Sequence, residues 1–172
     1  MKHIPFTAIL FIMAPALCQA QKLVDSRDQA TGWYVPVNIN VTAEGGKVRG
    51  VEVLIYKDNT LIQTIQPKEG KFTLNLDLDN AYTFTINKEG YLSKSVYMDT
   101  HLPKDKVQYS EYTCYANLEA ADKFSHSDMF YTDFPGAIVR WDPSLNAFAP
   151  SSQYLTDIQS KIAMLQAQMS PE

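Results

Sequence analysis

Cysteine is scarce in this chain: two residues, Cys18 and Cys114, among 172. A disulfide-stapled extracellular scaffold needs several pairs, so the fold must rest on a hydrophobic core. Histidine is nearly as rare, at three residues, and no HExxH, CxxC or HxH run accompanies it. A zinc site draws three or four ligands at workable spacing, so no metal is expected. There is no basic excess either. Fifteen Lys and Arg face nineteen Asp and Glu, giving a net charge of −4, which argues against a nucleic-acid binder. A glycine-rich phosphate cradle and a GxSxG elbow are both missing. Ser125-His126-Ser127-Asp128 contains the letters of a serine triad, but neighbours in sequence do not reach triad geometry, and the run reads as a polar loop. His101 and His126 read as loop histidines, and Asp77-Leu78-Asp79-Asn80 as a strand-to-strand turn rather than a calcium site. No catalytic residues and no cofactor are expected.

Long apolar runs are confined to the N-terminus. Lys2 and His3 precede a run from Ile4 to Leu17 that is shorter than the roughly 20 residues a membrane span takes. Small residues at Cys18 and Ala20 suit a signal peptidase, which predicts residues 1–20 as a signal peptide cleaved after Ala20 and an exported mature chain. Lipidation at Cys18 is the competing reading, and Leu17 is a poor residue to precede a lipidated cysteine. Cleavage removes one lysine and no acid, leaving a mature charge of −5 and Cys114 as the lone thiol. No transmembrane span is expected in the mature chain.

What the sequence has in abundance is alternation. After an exposed leader at 21–34, Val35, Val37, Ile39 and Val41 alternate with polar residues, the period of a strand with one buried face. The same period recurs at Val51-Val53-Ile55, through Leu61 to Gln66, at Phe72-Leu74-Leu76-Leu78, at Tyr82-Phe84-Ile86, at Val96-Met98 and at Tyr112-Cys114-Ala116-Leu118. Turn residues separate the segments: Gly45-Gly46, Lys57-Asp58-Asn59-Thr60, Pro67-Lys68-Glu69-Gly70, Asp79-Asn80 and Glu89-Gly90. Seven such segments predict an all-β, seven-stranded antiparallel Greek-key sandwich over 35–119, with an extension carrying one extra strand over 120–150. Cys114 lies in register with buried positions and reads as an inert thiol.

The order of Gly50-Val51-Glu52-Val53-Leu54-Ile55-Tyr56, Lys68-Glu69-Gly70-Lys71-Phe72-Thr73-Leu74, Tyr82-Thr83-Phe84-Thr85-Ile86 and Lys88-Glu89-Gly90-Tyr91 resembles the carboxypeptidase-regulatory-like, transthyretin-like sandwich. Thr100-His101-Leu102-Pro103, the strand at 109–118, the run Asp133 to Asp142 and Tyr154 are similar to a group of exported envelope proteins of Bacteroidota-type bacteria, with Gly136 where valine is usual. The resemblance implies a fold and a compartment, not an activity. Purine-pathway hydrolases of the transthyretin-like type need inward histidines and arginines and a Tyr-Arg-Gly-Ser-type end, whereas this sequence closes Gln168-Met169-Ser170-Pro171-Glu172.

After Pro150 the period changes. Ser151 is a candidate N-cap, and Leu155, Ile158, Ile162, Leu165 and Met169 recur at spacings of 3, 4, 3 and 4, predicting an amphipathic helix over 151–169 with one apolar stripe. That stripe either packs on its own sandwich or docks into an envelope protein partner or a second copy. Trp33, Tyr34, Tyr109, Tyr112, Tyr115, Tyr131 and Trp141, with Trp33, Tyr34 and Trp141 the main candidates, could stack on a glycan or small ligand, or simply fill the core. The expectation is a non-catalytic module of the periplasm or cell envelope with a structural or protein-interaction role, and glycan binding as its alternative.

Overall fold

The computed structural model describes residues 33–45, 48–106, 108–124 and 134–169, with the helical side chains at 165, 166, 168 and 169 outside that description. The signal peptide, nearly all of the leader, His126 and Tyr131 lie outside the described residues.

The described residues are mostly β, built into two sheets with one α-helix. The strands are β1 (Tyr34–Ala43), β2 (Val51–Lys57), β3 (Thr60–Ile65), β4 (Lys71–Asp77), β5 (Ala81–Lys88), β6 (Lys94–Asp99), β7 (Tyr112–Leu118), β8 (Ala137–Asp142) and β9 (Ala147–Pro150). Helix α1 follows at Ser152–Met169, and a short 3-10 turn occupies Ala121–Phe124. One sheet has three strands in the order β4-β1-β7; the other has six in the order β3-β2-β5-β6-β8-β9.

Two features differ from the sequence expectation. The sandwich is not wholly antiparallel, because β7 lies parallel to β1 and β8 parallel to β6. Both arise where the chain makes a long connection, through 100–111 and 119–136, instead of a hairpin; a hairpin enforces antiparallel pairing and a crossover does not. The extension also supplies two strands rather than one, since Asp142 to Asn146 turns β8 into β9. There Asp142 Oδ1 accepts bonds from the Ser144 N–H and hydroxyl, and Asn146 takes a left-handed φ of 49°.

The alternating residues face inward together. Val35, Val37, Ile39 and Val41 of β1 pack over Val53, Ile55, Phe84 and Ile86 of the larger sheet, all buried, with Leu74 and Leu76 of β4 and Cys114, Ala116 and Leu118 of β7 in the same core. Asn38, Asn40, Thr42, Thr73 and Asn75 point outward, and Thr73 Oγ1 donates to Asn38 Oδ1 across the ladder at 2.7 Å. One end is tied by Thr100, the one buried polar residue among those described. Its Oγ1 accepts from Asn80 N–H and lies 2.7 Å from the Asp77 carbonyl. A fully buried hydroxyl is tolerated because these backbone groups satisfy it.

A three-stranded layer cannot cover a six-stranded one. Sheet spacing fixes strands at about 4.8 Å apart, so the larger sheet overhangs by about three strand widths. Part of that overhang, beside β6 and β8, is where the C-terminal helix docks.

Candidate functional site

The edge of the small sheet at β7 is the starting point. β7 pairs with β1 in register Val37↔Tyr112 through Ala43↔Leu118, and it has no strand on its other side among the described residues. Successive residues of a strand point their backbone N–H and C=O groups alternately left and right. The Glu44 N–H donates to the Leu118 carbonyl at 3.0 Å, so Leu118, and with it Ala116, Cys114 and Tyr112, points these groups toward β1. Thr113, Tyr115 and Asn117 therefore present theirs to the free edge. Glu119 continues that set, and its carbonyl accepts the Leu92 N–H of the larger sheet at 2.9 Å. The edge is thus closed at Glu119 and, among the described residues, unpaired along the three alternate residues before it.

A slot of about 540 Å³ runs beside this edge. Tyr112 to Asn117 of β7, Leu155, Ile158 and Ile162 of α1, and Ser95, Val96, Gly136 and Ala137 line it, with Phe124 and Phe134 also at the slot. Small residues leave the room: Ala116, Ser95, Gly136 and Ala137 carry little or no side chain.

Local chemistry holds the helix in place. Ser151 Oγ accepts the Tyr154 N–H at 3.4 Å as an N-cap, while the Ser151 N–H donates to the Ile138 carbonyl at 2.8 Å. The Tyr154 hydroxyl donates to the Pro135 carbonyl at 2.6 Å, and Lys161 Nζ stands 5.1 Å from the Phe134 ring centre. Ile158 is 5% exposed, whereas Leu155 and Ile162 are half-buried and line the slot. The first half of the stripe thus packs on its own body; Leu165 and Met169 lie outside the described side chains. Met164 is exposed.

Among the described residues that line it, the slot carries no net charge. Lys94 Nζ and Glu119 Oε1, its two ionised groups, pair at 3.1 Å and neutralise each other at the closed end. Burial governs the other titratable groups. Desolvation pushes the Cys114 thiol up to about 11, and desolvation, with Cys114 beside it, pushes the Tyr112 phenol up to about 12. Both are neutral across ordinary pH.

The three rings singled out as stacking candidates do not form a platform. Trp141 is 8% exposed and meets Phe148 edge-on at 5.6 Å between ring centres, so its face is used inside the core. Its indole N–H is buried without a hydrogen-bond partner among the described residues. Trp33 is half-buried against the same core, and Tyr34 is left as an exposed ring at 43%. His101 sits on the surface with Nδ1 2.6 Å from Asp99 Oδ1. Among the described residues no three His, Cys, Asp or Glu side chains gather as a metal site would require. Among the described residues the most exposed large hydrophobic side chain is Tyr115, at 80%, on the outer face of β7.

The slot itself was not visible in the sequence. Alternation marks β7 as a strand; it carries no information on whether that strand has one neighbour or two.

No protein-family model matches this chain, and no curated protein does. Among solved structures, 3-chlorocatechol 1,2-dioxygenase from Rhodococcus opacus 1CP aligns at 14% identity over 54% of this chain and 62% of its own, with a TM-score of 0.38. S.CueP aligns at 13% identity over 52% of this chain and 65% of its own, with a TM-score of 0.36. The alignments span under two thirds of either neighbour.

Proposed function

We propose that this protein is an exported, non-catalytic β-sandwich module that serves a structural or protein-interaction role in the bacterial periplasm or cell envelope. The carboxypeptidase-regulatory-like, Greek-key form of the sandwich belongs to the same proposal. Its support is that the motif stations fall on β2, β4, β5 and the Gly90-Tyr91 turn in order. The N-terminal basic-apolar-small pattern supports export.

The observation that carries the interaction role is the apolar slot between the free edge of β7 and α1. A surface with uncapped backbone groups beside Ile162, Leu155 and two phenylalanines favours a protein ligand, because it offers main-chain hydrogen bonds and apolar burial together. Among the described residues no helix is long and apolar enough to cross a membrane.

Cross-linked capture from intact envelopes tests this reading, comparing the wild-type chain with Ile162→Asp. We expect the variant to keep its melting temperature within a few degrees, because Ile162 is only half-buried, and to lose specifically cross-linked protein. An identical cross-linking pattern for the two proteins argues against the slot as the contact surface.

A further inference from the structure

Resting on the interaction role proposed above, we infer that the slot is a strand-acceptor site: it takes an extended segment of another protein, with no charge on its inward face, as a fourth strand of the small sheet, hydrogen-bonded to Thr113, Tyr115 and Asn117 of β7. Three observations fix this chemistry. First, the groups aimed into the slot are backbone N–H and C=O groups on alternate residues, spaced about 6.6 Å along the strand. Only another extended backbone repeats donors and acceptors at that interval; a helix has its own satisfied internally. Second, Leu92 N–H already occupies the Glu119 carbonyl at the end of that edge, and the bridge between Tyr91 and Ala120 closes the sandwich just beyond it. The added strand is therefore limited to the length of β7, about seven residues. Third, Lys94 and Glu119 neutralise each other, so a charged residue pointing inward would be desolvated without a counter-ion.

The side-chain rule follows from the pleat. On β7, Cys114 and Ala116 point inward while Tyr115 points to solvent. An adjoining strand continues both faces. Its inward residues meet Val96, Ala137 and Ile158 and should be apolar, and its outward residues extend the polar face and can be any hydrophilic type. The ligand class is an alternating apolar-polar segment without inward charge, recognised through its main chain.

The probe is a capped seven-residue peptide of alternating threonine and valine, added to the full mature chain and followed by NMR amide exchange. In the free protein the amides of Cys114 and Ala116 should exchange slowly and those of Thr113, Tyr115 and Asn117 quickly. Bound peptide should slow the latter three at least tenfold and leave the former two unchanged. Two further peptides carry N-methyl groups on either the valine or the threonine nitrogens. A strand uses only one of these sets toward β7, so one isomer should bind at least tenfold more weakly than the other.

Tyr115→Pro removes one slot-facing donor without touching the ladder to β1, and should also weaken peptide binding at least tenfold. The methylated peptides decide the matter on the wild-type protein if that variant does not fold. Three results overturn strand acceptance: equal affinity of the two isomers, no saturable binding, or protection of Thr113, Tyr115 and Asn117 before any peptide is added, which means the chain's own residues fill the slot. Should any of these occur while Ile162→Asp still abolishes envelope cross-links, the interaction role stands and only the strand mode falls.

Discussion

Tyr112 and Cys114 sit two residues apart on β7, and burial pushes the pKa of both upward, which predicts a fold that weakens in alkali. A phenol or thiol that stays protonated in the native protein while the unfolded chain has lost its proton stabilises folding fully below the unfolded pKa. That contribution disappears as the pH rises through the folded value. The unfolded values are 10.0 and 9.0, and the folded ones about 12 and about 11. Stability should therefore hold up to about pH 9 and decline between about pH 9 and 12. Desolvation raises Tyr82, Tyr109 and Tyr154 in the same sense. Urea midpoints measured across that range provide the check: Tyr112→Phe should flatten the decline between about pH 10 and 12, and an unchanged slope would place the sensitivity elsewhere. The same burial makes Cys114 slow toward thiol reagents at pH 8, by a factor of about 100 or more against a free thiol, until the chain is unfolded.

At the scale of elements, turns and bulges decide what each strand can do. Gly90 holds a φ of 78° between β5 and β6, where the Tyr91 N–H donates to the Lys88 carbonyl and the Gly90 carbonyl accepts from Ala121. A Cβ there would meet nothing within 4 Å, so the constraint is purely conformational. Gly90→Val should lower stability by about 1–2 kcal/mol, the cost of a β-branched residue in the left-handed region, with the fold retained. A melting temperature equal to wild type would contradict it. Asp58 and Asn59, at φ 48° and 63°, make the β2–β3 hairpin a two-residue turn of the mirror-image kind that suits twisted strands. β3 is an edge like β7 but is handled differently. Its register against β2 shifts between Ile55 and Tyr56, leaving Ile62 as an extra residue, and such a bulge twists an edge away from pairing. β7 pairs with β1 without a register shift, and so retains the regular spacing that an added strand needs.

For the whole molecule, the unequal sheets govern both stability and access. The deep core lies where β1, β4 and β7 cover the larger sheet, around Phe84, Ile86 and Ile39. The helix is a satellite: Ile158 is its one side chain buried at core level among those described, and an 18-residue helix is marginal in water without such packing. Native-state hydrogen exchange in rising urea should show the α1 amides opening well below the global unfolding energy, while β1 and β5 exchange only through global unfolding. If α1 merges with the global isotherm, the helix is part of the main cooperative unit.

How much of this was legible beforehand differs by kind of information. Period two in Val35 to Val41, Phe72 to Leu78 and Tyr82 to Ile86 determines strands with one buried face, because the pleat puts alternate side chains on opposite sides whatever the neighbours are. The change to spacings of 3 and 4 after Pro150 determines a helix for the same local reason. Which strands become neighbours is not local. The parallel placement of β7 beside β1 and of β8 beside β6 depends on where long connections return, and Trp141 became a core ring, not a stacking one, through that return. The slot is the sharpest case: the residues of β7 specify a strand by themselves, but whether its second edge is paired, covered or open was decided only when three strands were laid over six.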